Sequence, residues 1–533
     1  MNRFLKGAMI LTIAGVIVKI IGAFSKVLIA RILGGEGIGL YQMAYLLYQI
    51  IVSLATAGLP VAISIMVADK LAHKDMRGAH KIFKVSGLVL FLLGTFFSLA
   101  LFLSTPWLIE EGWLADPRSR YALMTLTPAI IIVTLLGAFR GYFQGFQDML
   151  PTGASQVVEQ TLRVTCMVGF ALFLLPYGLP MAAAGATLAT FPGVVGGLLV
   201  LIYFYYRQRH ERASLLAAQD ELQVAESAWQ IMKRLFILAI PVSMANIMMP
   251  IVSGIDLKVV PGRLIEVGYT MREATTLFGY LTGMATSLVN LPIILTTSLA
   301  ASLVPAISEA YAKKDMKEIQ GRSYVALKIT SLITVPAFVG LCVLATPISQ
   351  LLYATPNAGG PIAVMSLSIF LLGMQQVTTG ILQGLGHTSI PMINLFISTI
   401  IKIPLSWYLT GLPEWGINGA AWSTNIDFGL AALLNMIFVN RYIKYRIPWG
   451  ETVKIFFSAL AMGGATVVVY YFLSSLVGNS IGVLGAIIVA VIVYSAGLLI
   501  TKTIKPDEWA SMPVIGKRIA AYRDRKTANG DEQ

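Results

Sequence analysis

Lys74-Asp75-Met76-Arg77 recurs as Lys314-Asp315-Met316-Lys317, 240 residues further along the chain. Gln144-Gly145 recurs as Gln383-Gly384 at an offset of 239. Each Gln-Gly is followed by a short turn and a proline, Pro151 or Pro391, that opens the next apolar segment. Proline suits a first helical turn, where its missing N–H would be unsatisfied anyway. Pro60-Val61-Ala62-Ile63-Ser64 resembles Pro305-Ala306-Ile307-Ser308, and Gly185-Ala186 resembles Gly419-Ala420. Four ordered matches at nearly one offset define an internal repeat.

What lies between these marks is apolar. Of 533 residues, 56% are hydrophobic and only 12% charged, with mean hydropathy +0.76. A soluble domain carries about 25% charged residues, so soluble and disordered classes are excluded. Apolar runs long enough to cross a ~30 Å hydrocarbon core recur from end to end. They fall at 8–30, 41–68, 83–104, 121–143, 152–176, 181–205, 230–254, 275–304, 324–350, 359–384, 389–410, 416–440, 452–476 and 479–501. The first is too long for a cleaved signal peptide and carries Lys19 at its middle.

The expected fold is therefore an all-α polytopic membrane protein with about fourteen transmembrane helices. The repeat unit is six spans, an even number, so two six-helix lobes run parallel, related by an axis along the membrane normal. Such architectures place the substrate between the lobes. The expected division is an N-terminal lobe at 1–206, a cytoplasmic linker helix at 207–229, and a C-terminal lobe at 230–445. Two further spans at 446–502 and a basic tail at 503–533 complete it.

Lysine and arginine sort the connections by side. With the N-terminus inside, cytoplasmic segments hold 28 of the 39 basic residues, outer segments six, and five lie within or near spans. Both termini are expected in the cytoplasm. The net charge of +13 is then a topology signal and needs no nucleic acid. Cys166 and Cys342 stand far apart in apolar segments, and His73, His80, His210 and His387 lie in polar connections. No metal site is expected from this spacing.

Charges inside spans are the candidate functional groups, since each costs about 2.5–3.5 kcal/mol on insertion scales. Lys19 and Lys26, seven apart, share a helical face with Gly15, Gly22, Ala23 and Ala30. That stripe reads as a cavity wall attracting an anion, or as lysines paired to a neighbouring helix. Arg31, Asn290, Asp256 and Lys258 are further substrate-cavity candidates. Asp427 is the best lone intramembrane carboxylate, able to relay a proton, bind Na⁺ or bond a neighbouring helix. Glu159 and Arg163 have the spacing of an intrahelical pair, and Lys402 falls near the repeat-equivalent position of Arg163. These four residues are candidates for cation coupling or structural pairing. The span at 275–304 is rich in hydroxyls, with a break expected at Pro292. They would satisfy a kink or line a gate.

Three stretches carry a resemblance. They are Lys19-Ile20-Ile21-Gly22 with Ala30-Arg31-Ile32-Leu33-Gly34, then Gly58-Leu59-Pro60-Val61-Ala62-Ile63-Ser64, and then Arg140-Gly141-Tyr142-Phe143-Gln144-Gly145 through Pro151-Thr152 and Ser155-Gln156-Val157-Val158-Glu159-Gln160 to Arg163. Together they resemble the stage V sporulation protein B and lipid II flippase group of the multidrug, oligosaccharidyl-lipid and polysaccharide exporter superfamily. The resemblance implies alternating access and export of an undecaprenyl-diphosphate-linked saccharide, such as lipid II, for cell-wall or spore-cortex synthesis. It also implies a basic cavity residue on the first helix, which Lys19 matches. Ser25 stands where the group has a neighbouring arginine, with Lys26 beside it, and Val52 where Gram-negative members have a second-helix arginine.

The expected partners are a lipid-linked saccharide, membrane lipids and cell-wall synthesis proteins, with the chain acting as a monomer in a bacterial plasma membrane. The alternatives are export of another lipid-linked glycan, or multidrug antiport, which would favour acidic rather than basic groups in the first lobe. A membrane polymerase or ligase is disfavoured, because the outer connections are short and hold no catalytic constellation. No cofactor is expected. Membrane potential, H⁺ or Na⁺ could supply the energy.

Overall fold

The structure, a computed structural model, describes residues 3–56, 58–210, 214, 226–444 and 449–503. Most of the expected linker at 207–229, and the tail beyond 503, lie outside the described residues. Among those described there is no β-strand. Among the described residues, twelve runs are long and apolar enough to cross a membrane. One of these, Met9–Ala72, is 64 residues long, roughly three times a ~30 Å core at 1.5 Å per residue. The helix Ala228–Glu266, which covers the span expected at 230–254, is 39 residues long and stands outside those twelve.

The first helix, α1 (Arg3–Thr56), bends at Gly34, whose φ of 63° and ψ of −173° leave the helical region. Glycine reaches that conformation without steric cost. The chain continues through α2 (Leu59–Ala72), α3 (Met76–Glu110), α4 (Arg120–Gly145), α5 (Leu150–Leu174), α6 (Leu179–Leu188) and α7 (Thr190–Arg207). After α8 (Ala228–Glu266) come α9 (Met271–Gly279), a π-helical turn at Tyr280–Ala285, and α10 (Thr286–Ala312). Then follow α11 (Met316–Val343), α12 (Ala345–Tyr353), α13 (Gly359–Met365), α14 (Leu367–Gly384), α15 (Ser389–Thr410) and α16 (Gly416–Ile443). The hairpin of α17 (Trp449–Val477) and α18 (Asn479–Ile500) closes the described chain.

The internal repeat is visible in backbone geometry. Lys74 and Lys314 both adopt φ 57°, and the next residue in each case caps a helix. Asp75 accepts from the Gly78 amide at 2.7 Å and Asp315 from the Glu318 amide at 2.9 Å. Two residues after each Gln-Gly the chain again takes positive φ, at Gln147 and Gly386. Short polar side chains at the N-cap satisfy a backbone donor that the helix leaves free. The repeated tetrapeptide is thus a turn-and-cap device.

The helix break expected at Pro292 is not there. Pro292 and Pro305 sit inside the continuous α10, and the irregularity lies earlier, in the π turn at Tyr280–Ala285. A π turn displaces carbonyls from their usual partners. Two are bonded from outside the helix: Gln42 Nε2 donates to Thr282 O at 2.9 Å and Tyr353 Oη to Met284 O at 3.1 Å.

Two ends of the molecule bring helices of the first and second repeats together. At one end Gly35 and Gly39 of α1 meet Thr275 and Gly279 of α9 so closely that a Cβ on Gly39 would stand 2.0 Å from the Thr275 carbonyl oxygen. Small residues permit such backbone approach between membrane helices. Polar bonds gather beside it. Glu36 binds Arg118 at 2.6 Å and Arg272 at 3.3 Å, and Thr275 donates to Asp116 at 3.0 Å. At the other end Arg234 of α8 binds Asp69 at 2.7 Å and Lys70 binds Glu226 at 3.1 Å. The last hairpin is fastened to α11 by Lys328–Glu451 at 3.0 Å and by Tyr494, which donates to Leu332 O. Large apolar side chains such as Phe96, Leu103, Phe457 and Phe472 remain exposed, as the outer surface of a lipid-embedded protein requires.

Candidate substrate cavity

Between these two ends lies a cavity of about 460 Å³, walled by α1, α5, α10 and α14. Its α1 wall carries Lys19, Lys26, Gly22 and Ala23 before the Gly34 bend, and Tyr41 and Tyr45 after it. Seven residues are close to two helical turns, so Lys19 and Lys26 fall on one line with Gly22 between them. The bend is what lets one helix present both a cationic and an aromatic segment to the same space.

The α5 wall adds Arg163 and Gln160, whose side chains bond each other. Glu159 does not line the cavity. Its carboxylate is held by Arg140 of α4 at 2.8 Å, and the Arg163 contact is longer, at 3.9 Å. The pair expected within α5 is therefore a secondary contact, because the interhelical partner has the better geometry. With Arg140 also donating to Ser155 at 3.2 Å, one carboxylate is shared by two guanidiniums. The trio keeps a positive charge, and Arg163 presents it at the cavity wall.

The opposite wall is uncharged. Asn290, Ser287 and Thr297 come from α10, and Leu372 and Gln376 from α14. Gln376 Oε1 lies 2.9 Å from Thr296 Oγ1 and 3.1 Å from Thr297 Oγ1, which anchors one side of the amide. Among the described residues, three cations line the cavity and no carboxylate does. Neither Lys19 nor Lys26 has an ion-pair partner among them.

Four of the ten charged or polar candidates thus meet at one place: Lys19, Lys26, Asn290 and Arg163. The rest do not line it. Asp256, expected there, is bound to Lys402 at 2.6 Å, an ion pair joining α8 to α15. Lys258 lies 5.0 Å from the Trp113 ring centroid, a cation–π arrangement that removes it from the cavity. Arg31 is exposed outside the lining. Asp427 is buried in α16 and accepts from Ser398 of α15 at 2.6 Å. Lys402 does not share the setting of Arg163 despite its place in the repeat, since one faces a carboxylate and the other the cavity. No group of three or more His, Cys, Asp or Glu able to hold a metal ion occurs among the described residues.

Sequence reasoning missed Tyr41, Tyr45 and Gln376. The signal was available in Tyr41, Tyr45 and Tyr48, spaced at four and three residues on one helical face, and in the adjacent amides Gln375 and Gln376 inside an apolar span.

Residues 4–311 match the family described as polysaccharide biosynthesis protein, and residues 282–408 match the MatE family. The chain is 31% identical to stage V sporulation protein B of Bacillus subtilis (strain 168), covering 97% of this chain and 99% of that one. It is 27% identical to lipid II flippase MurJ of the same organism over 93% of this chain and 94% of the relative. Among solved structures, lipid II flippase MurJ in an inward closed conformation superposes with TM-score 0.69 at 18% identity, covering 92% of this chain and 98% of that one. An inward-facing multidrug transporter of the same superfamily gives 0.64 at 16%, covering 80% and 94%. These two likenesses concern the fold. The chain belongs to the polysaccharide biosynthesis protein family, together with stage V sporulation protein B, and is a multi-pass membrane protein with the fold of these transporters.

Proposed function

We propose that the protein is a flippase that carries an undecaprenyl-diphosphate-linked saccharide, lipid II, from the inner to the outer leaflet by alternating access, serving cell-wall or spore-cortex synthesis. The observation that carries this reading is the charge of the cavity: three cations and no carboxylate line it among the described residues. A diphosphate crossing the membrane needs counter-charges in a hydrated space, while its polyprenyl tail stays in lipid. Relatives named stage V sporulation protein B and lipid II flippase support the same substrate class. The matches to MatE and to multidrug transporters favour a second reading, but a cationic drug would be repelled by Lys19, Lys26 and Arg163.

In this reading residues 1–206 and 230–445 form the two lobes that rock, and 446–502 form an appended hairpin. Fourteen spans leave both termini in the cytoplasm of a bacterial plasma membrane, and one copy of the chain suffices. The interior-negative potential drives the anionic headgroup outward, worth about 2.3 kcal/mol per charge per 100 mV, so no cofactor is needed. Asp427 and the Asp256–Lys402 pair hold helices together and do not carry a coupling ion. Cell-wall synthesis proteins that use the exported lipid are the expected partners.

The test is expression in cells depleted of their own lipid II flippase, scoring growth and labelling of outer-leaflet lipid II. Rescue, with loss of rescue in Lys19→Ala and partial retention in Lys19→Arg at equal membrane abundance, is the expected result. A well-inserted protein that fails to rescue but exports another lipid-linked glycan would move the substrate within the class. Drug efflux unaffected by Lys19→Ala would overturn it.

A further inference from the structure

We infer that the neutral side chains of the cavity, Asn290 and Gln376 on α10 and α14 together with Tyr41 and Tyr45 on α1 beyond the Gly34 bend, form a glycan subsite that holds a neutral pyranose ring next to the diphosphate. The inference rests on the anionic lipid-linked glycan reading above and adds to it where the sugar sits.

The cavity is chemically polarised. Its cations all come from α1 and α5, whereas the wall built by α10 and α14 offers only neutral side chains. A diphosphate will occupy the cationic side, where charge-assisted hydrogen bonds are strongest. Whatever is attached to it then faces Asn290 and Gln376. These amides have hydrogen-bonding capacity to spare. Asn290 makes no hydrogen bond among the described residues, and Gln376 uses only its oxygen, on Thr296 and Thr297. An amide offers both donors and acceptors, the combination that sugar hydroxyl and acetamido groups match. Binding an uncharged polyol to uncharged groups avoids the desolvation penalty of a charge.

The tyrosines supply the second half of sugar recognition. Tyr41 and Tyr45 lie with ring centroids 5.4 Å apart and planes at 15°, and Tyr48 continues the ladder at 5.8 Å. Each ring therefore supports the next, and the pair is held in place by its neighbours rather than by its own hydroxyls. Neither the Tyr41 nor the Tyr45 hydroxyl has a hydrogen-bond partner among the described residues. A tyrosine offers an electron-rich ring and a polar tip on one rigid side chain. A pyranose has the complementary pattern of C–H groups on its faces and hydroxyls around its rim. The ladder, the free amides and the polarity of the cavity thus point to the same ligand.

The experiment compares two probes on the full-length protein in lipid nanodiscs: undecaprenyl diphosphate, and undecaprenyl diphosphate carrying one N-acetylhexosamine. The wild type should bind the glycosylated lipid about tenfold more tightly. Tyr45→Ala and Gln376→Ala should each erase most of that preference and leave affinity for undecaprenyl diphosphate within twofold. Tyr45→Phe, which keeps the ring, should retain part of it. Lys26→Ala should weaken both lipids alike. Equal weakening of both lipids by Tyr45→Ala and Gln376→Ala, or no effect of either on the preference, would overturn the subsite while leaving the anionic-lipid reading intact. A wild-type protein that binds neither lipid would overturn that reading and the subsite with it.

Discussion

Lys26→Ala separates a functional cation from a structural one, because the two roles make opposite predictions for stability. Lys26 lines the cavity, half-buried, and has no ion-pair partner among the described residues. In the empty protein its ammonium is a net cost, at most about 2.5–3.5 kcal/mol on insertion scales and less where cavity water reaches it. It also stands on one helical line with Lys19, so its removal relieves repulsion between like charges. Lys26→Ala should therefore leave the apo protein as stable as wild type or more so, read as an unchanged or raised Tm in detergent. Substrate binding should move the other way. One charge–charge contact at about 4 Å is worth about 1 kcal/mol in water and about 4 kcal/mol at the effective dielectric near a protein surface. At about 1.4 kcal/mol per decade, affinity for undecaprenyl diphosphate should fall by about fivefold to nearly a thousandfold. Lys26→Arg should recover most of it. A Lys26→Ala protein with lowered Tm and undiminished lipid affinity would refute the reasoning and make Lys26 an ordinary structural residue.

Lys402 is the contrasting case: Lys402→Ala strands the Asp256 carboxylate, only 20% exposed and bound at 2.6 Å. Breaking a buried pair from one side costs about 3–5 kcal/mol, and adding Asp256→Asn should restore much of the lost Tm if the two residues act as a structural pair. A Cβ on Gly279 would stand 2.2 Å from the Gly35 carbonyl oxygen, against backbone that cannot yield. Gly279→Ala should therefore weaken the α1–α9 contact by about 1–3 kcal/mol, seen as faster thiol labelling of Lys26→Cys from that end. Asp75→Ala and Asp315→Ala each remove an N-cap worth about 1 kcal/mol, and Asp75→Ala should cost more, because Asp75 is buried and also pairs with Lys70 at 3.3 Å whereas Asp315 is exposed. Equal losses in Tm would show that the cap alone sets the energy of the turn.

Much of this molecule was legible without a structure because the deciding signals are one-dimensional. A helix in lipid must satisfy its backbone internally and stay apolar along its length, so the membrane-spanning character of the chain shows directly in the sequence. The recurrence of Lys74-Asp75 at Lys314-Asp315 was equally plain, and both copies form the same positive-φ turn and cap. Lys19 and Lys26 stood out because intramembrane charge is costly, and both line the cavity. The Pro292 reading failed because proline is tolerated inside membrane helices, while the π turn at Tyr280–Ala285 has no comparable sequence mark.

The sequence by itself determined that this chain is a polytopic membrane protein with an internal repeat and unusual cations in its first span. Only the tertiary structure decided which charges remain available. Asp256 and Lys402 are 146 residues apart, yet cancel each other. Glu159, four residues from Arg163, is held most closely by Arg140 on another helix. The tyrosines of α1 and the amides of α10 and α14 reach one space only because Gly34 bends the chain and the helices pack around it. Whether a charge is a counter-ion or a binding group depends on its nearest partner in space, and spacing along one helix does not encode that partner.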